Sequence, residues 1–136
     1  MSAPSSALTE AAASLVSVDA ACRAVVGDRL VTLVATRIRE LLDPGSGPPQ
    51  LADWPTSSDL SELERAAIAF TEQFAIDVTG MTDALVDALS VHLTRDEVYV
   101  FARSVQAAEA RQRAILLLRR DEALAGIVAT LDGGTR

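Results

Sequence analysis

The chain has 136 residues, 49% of them hydrophobic and 23% charged, enough apolar material for one folded domain without metal or disulfide staples. Twelve basic residues against nineteen acidic ones give a net charge of −7, the wrong sign for a surface that tracks phosphates, so no nucleic-acid partner is expected. Every basic side chain is arginine, which excludes Schiff-base and pyridoxal-phosphate chemistry and a Walker A phosphate loop. With a single cysteine, Cys22, and a single histidine, His92, one chain can build neither an internal disulfide nor a Cys/His zinc site. No metal or cofactor is expected.

The apolar stretches carry charges too closely spaced for a signal peptide or a membrane span. Ala7 to Val16 contains Glu10 and lacks a positive start, and Ala114 to Leu118 is closed by Arg119 and Arg120. A soluble, cytoplasmic protein without a membrane partner is expected. Both ends, about 1–6 and 132–136, are small and polar and are expected to fray.

Between the ends, the periodicity predicts helices only. The first runs from about Thr9 to Val26 and stops at Gly27, a residue that accepts positive φ without strain. The second spans Asp28 to Leu42, with Leu30, Leu33, Val34, Ile38, Leu41 and Leu42 on one face, and Pro44 stops it. Four of the five prolines and two glycines fall between Asp43 and Pro55, which marks the one substantial loop.

Ser61 and Glu64 form a capping box that starts a third helix at Glu62, with Leu63, Ala67, Phe70 and Phe74 as its apolar stripe up to Asp77. Thr82 caps a short helix to Leu89. Thr94 and Glu97 repeat the capping box ahead of the longest helix, Arg95 to about Leu118, and a last turn or two follows over Glu122 to Leu131. No run alternates at period two, so strands are not expected. The fold class is all-α, about six helices in a single domain.

Two blocks, Leu51-Ala52-Asp53-Trp54-Pro55-Thr56-Ser57 and Glu64-Arg65-Ala66-Ala67-Ile68-Ala69-Phe70, resemble the alkylhydroperoxidase D-like, or carboxymuconolactone decarboxylase-like, family. Met81-Thr82-Asp83, Thr94-Arg95-Asp96-Glu97 and Gln112-Arg113 follow in the family's order, so the resemblance covers Asp28 to Leu118. It implies a helical bundle assembled as a dimer or larger homo-oligomer. Peroxidase members of the family carry a glutamate twelve residues ahead of a Cys-x-x-Cys and a histidine four residues after it. The dithiol supplies electrons there, while the glutamate and histidine move protons. Aligned on Arg37-Ile38, those places hold Thr32, Pro44, Gly47 and Leu51. The resemblance therefore implies an inherited scaffold without the thiol relay: a non-catalytic scaffold or regulatory partner, able to pair with a catalytic paralogue. The alternative is a cysteine-independent lyase, decarboxylase-like or isomerase-like enzyme acting on a small acidic lactone or carbonyl compound.

The candidate site residues each carry two readings. Glu109, Gln112 and Arg113 lie inside the longest helix and form either a polar pocket, with Arg113 holding a carboxylate, or an interface cluster. Trp54 either lines that pocket or anchors the proline-rich loop, as the resemblance implies. Cys22 is a thiol candidate or a small buried apolar residue. His92 is a general base or a cap for the last carbonyls of its helix. The paired carboxylates Asp83 and Asp87 could divide acid and base roles or simply face water.

Overall fold

The computed structural model describes residues 5–133. Six α-helices follow one another: α1 (Ser6–Val26), α2 (Asp28–Leu42), α3 (Glu62–Asp77), α4 (Asp83–Ser90), α5 (Arg95–Leu118) and α6 (Ala125–Gly133). Single 3-10 turns stand at Trp54–Thr56, Val78–Gly80 and Glu122–Leu124, and there is no strand among the described residues. The bounds of α2, α3 and α5 are the expected ones; α1 starts earlier than Thr9, α4 runs one residue past Leu89, and α6 starts at Ala125 because Glu122–Leu124 is a 3-10 turn. Ser5 caps α1 through Leu8 N–H, and α6 runs to Gly133, so residues 5, 6, 132 and 133 are structured. The remainder of both ends expected to fray lies outside the described residues.

Gly27 closes α1 and opens α2 at φ +97°, a conformation that costs a residue with a Cβ but not glycine. The chain reverses there. Cys22 of α1 reaches the carbonyl of Val100 on α5, while Leu15 lies beside Ala107 and Ala110, so α1 and α5 are antiparallel. The C-caps of α2 and α5 meet instead: Asp43 accepts from Arg119 at 3.1 Å.

Helices α2 and α3 also run in the same sense. Arg29 bonds Glu64 and Arg37 bonds Glu72, two rungs with the same offset of 35 residues. A parallel neighbour requires the chain to travel back along α2, about 22 Å at 1.5 Å per residue. The proline-rich segment 43–61 makes that return. Its length is therefore a demand of topology, and its prolines keep it from becoming helix.

Three cores result. The largest joins α2, α3, α4 and α5 through Leu30, Val34, Ile38, Ala67, Phe70, Leu89, Phe101, Val105 and Ala108. Phe101 meets Phe70 edge to face at 5.5 Å, a geometry worth about 1 kcal/mol beyond area burial. A second, smaller core joins Ala12, Ile115, Ile127 and Leu131 of α1, α5 and α6. The third fastens the crossover: Leu51, Leu60 and the Trp54 ring close on Leu33 and Ile68.

Candidate functional site

Ionic groups concentrate in two places, and each holds elements together. On the crossover side, Glu72 accepts from the Arg37 Nε at 2.7 Å and from the Trp54 indole N–H at 3.1 Å. Arg37 also pairs with Glu40 at 3.1 Å, and Glu40 in turn accepts the backbone N–H groups of Gln50 and Leu51. Trp54 thus anchors the loop, with its ring in the third core and its polar edge on α3.

The second place lies between α1 and α5. Asp19 is 6% exposed and Arg111 1% exposed, and they meet at 3.3 Å. Arg23 donates from Nε to the other Asp19 oxygen at 2.7 Å and from Nη1 to Thr32 at 2.9 Å. Two guanidiniums thus share one carboxylate. Arg23 Nη2, Arg111 Nε and Ser104 Oγ are buried with no hydrogen-bond partner among the described residues. Burial pulls the Arg111 pKa down, Asp19 pushes it up, and the net direction is downward. An arginine remains charged across the accessible pH range all the same.

This pair was absent from the sequence candidates, although the sequence carries its signal. Phe101, Ser104, Ala108, Arg111 and Ile115 recur at steps of three and four and are all buried, so Arg111 continues the apolar stripe of α5. Arg113, two positions on, points away. It pairs with Glu109 at 3.4 Å with a side chain 53% exposed.

The four residues expected to form one polar cluster are therefore divided. Glu109 and Arg113 bind each other on the outer side of α5, and Trp54 is held by α2 and α3. Gln112 is buried and lines a polar cleft where α2, α5 and α6 end. Cys22 is buried, with its thiol directed at the Val100 carbonyl 3.7 Å away. Burial first, and Asp19 second, push its pKa up against the opposing pull of Arg103. His92 stands 4.0 Å from Glu62, where α4 comes back to the start of α3. Asp83 occupies the first turn of α4, and the Asp83 and Asp87 pair gathers no third ligand among the described residues.

Among the described residues no group of three or more His, Cys, Asp or Glu side chains is arranged as a metal set. None of their helices is long and apolar enough to cross a membrane. No protein-family model, curated protein or solved structure matches the chain.

Proposed function

We propose that the chain is a non-catalytic helical subunit of the alkylhydroperoxidase D-like type, an oligomeric scaffold or regulatory partner without thiol peroxidase chemistry. The supporting observation is the state of Cys22: a buried thiol, hydrogen-bonded to a helix carbonyl, with its pKa raised. A peroxidatic cysteine needs the opposite, an accessible thiolate beside a cation. The alternative lyase reading requires Trp54 and the Glu109–Arg113 pair around one pocket, and they occupy different faces.

Assembly is supported by apolar side chains at one end of the bundle. Val25 of α1 is 48% exposed, Val91 76% and Tyr99 68%, and the Cys22–Val100 contact brings the end of α1 beside the start of α5. A second copy of the chain covers such side chains most economically, by a two-fold contact. Light scattering on the purified protein is expected to give a multiple of 14.3 kDa, and Val91→Glu with Tyr99→Glu to give the monomer. A monomeric parent at every concentration sinks the assembly. Incubation with cumene hydroperoxide and dihydrolipoamide is expected to give no turnover. Turnover that disappears in Cys22→Ser overturns the non-catalytic reading.

A further inference from the structure

The contact between α1 and α5 encloses more positive charge than negative. Arg111 is buried and the Arg23 side chain is 14% exposed, while Asp19 is the only buried carboxylate among the described residues. Asp28 comes to 3.8 Å from Arg23 Nη1, but its side chain is 86% exposed and keeps its hydration. Asp132 acts on Arg111 from an exposed position. Three donors in this contact, Arg23 Nη2, Arg111 Nε and Ser104 Oγ, have no hydrogen-bond partner among the described residues. All three flank the same carboxylate. The Cys22–Val100 contact sets the register of the antiparallel helices, so Asp19, one turn before Cys22, faces Ser104, one turn after Val100. Arg111 lies two turns beyond Ser104 on the same stripe, and its side chain leans back toward the start of α5 until it meets Asp19. Arg23 closes on Asp19 from the next turn of α1. Water satisfies such donors but does not offset surplus buried charge.

We propose that Arg23 Nη2, Arg111 Nε and Ser104 Oγ hold a halide ion, chloride in a cell, beside Asp19. One halide makes the enclosed group neutral: two guanidiniums, one carboxylate and one monovalent anion. It accepts from several N–H and O–H donors at once, which is what the three unpartnered atoms offer. Ser104 is 3% exposed and Arg111 1%, so the place is closed over, which favours a one-atom ion over a carboxylate or phosphate. Arg103, next to Ser104 on the outer side, pairs only with Gln106 among the described residues and adds to the positive potential over the same contact. The anion bridges α1 to α5, and through the Arg23 bond to Thr32 it bears on α2 as well. Halide concentration then sets how firmly α1 is held, whether or not copies of the chain assemble.

The test replaces sodium gluconate by sodium chloride at constant ionic strength and follows the thermal midpoint of the full chain. A saturable rise with chloride is expected. Arg111→Met leaves Asp19 and Arg23 as a balanced pair and should lose the response. Ser104→Ala removes one hydroxyl and should move the half-saturating chloride concentration about tenfold higher. Crystals grown in sodium bromide are expected to show an anomalous peak within hydrogen-bonding reach of Arg23 Nη2, Arg111 Nε and Ser104 Oγ. A midpoint that follows ionic strength whichever anion is present overturns the assignment. So does a chloride response that survives in Arg111→Met, or a bromide map with no anomalous peak at the three donors. Should Arg111→Met fail to fold, Ser104→Ala and the bromide map decide, and an Ala variant that responds like the parent overturns it.

Discussion

Asp19 neutralises two arginines from a position where water cannot help it. Removing its charge leaves Arg111 and Arg23, which cannot shed a proton, without the carboxylate they share between α1 and α5. Asp19→Asn is accordingly expected to lower stability by about 3–5 kcal/mol in urea denaturation. Replacing Asp19 by Leu and both Arg23 and Arg111 by Met together should recover most of that loss, since apolar side chains of similar volume need no compensation. A triple variant no better than Asp19→Asn would show that the shared carboxylate is not the source of the loss. At this scale the sequence was legible only in part. Trp54 could be assigned as a loop anchor because a large ring beside prolines has few other uses. Composition does not tell Arg111 from Arg113, but the stripe of Phe101, Ser104, Ala108 and Ile115 places Arg111 on the buried side of α5 and Arg113 on the other.

The helices themselves follow from local chemistry. Ser61 with Glu64 and Thr94 with Glu97 complete reciprocal capping boxes, which is why α3 and α5 start where the sequence predicts. Burial pushes Glu64 up, but its bonds to Arg29 and Ser61 outweigh this, and the bond to the Thr94 backbone lowers Glu97, so both carboxyls sit below their ordinary value of 4.5. Carboxyls that are more acidic folded than unfolded contribute stability that is complete above pH 4.5 and disappears as pH falls through their folded values. Thermal midpoints are expected to fall below pH 4.5, and to fall less steeply in Glu64→Gln/Glu97→Gln, where the amide oxygen still accepts the cap bond. An unchanged slope would place the acid sensitivity elsewhere. What local chemistry does not carry is direction. The loop between α2 and α3 reads equally well as a long hairpin connection, and only the two Arg–Glu rungs reveal that it is a return path.

Across the whole molecule, stability is unevenly shared. Helix α6 has nine residues and buries only Ile127 and Leu131, whereas α3 and α5 meet in the larger core around Phe70 and Phe101. Amide exchange is expected to be fastest in α6 among the helices and slowest in the middle of α5. Leu131→Ala should cost about 2–5 kcal/mol in the protection of α6 while leaving α3 little changed. Equal loss in both helices would mean that the two cores unfold as one. The family resemblance also belongs to this scale. It concerns topology and assembly, which six helix boundaries do not specify, and no similar structure stands beside the chain to supply them.

The two rungs joining α2 to α3 are blind to which molecule provides the third helix. A crossover long enough to come back along its own helix is also long enough to reach a neighbour's, so exchange of α3 to α6 between two copies preserves every contact of the main core. Glu40 and Glu72, gripping Gln50, Leu51 and Trp54 from both sides, hold the strand of chain folded back on its owner. Loosening that grip favours entwined dimers, and the fold's defence against them lies in two glutamates and an indole.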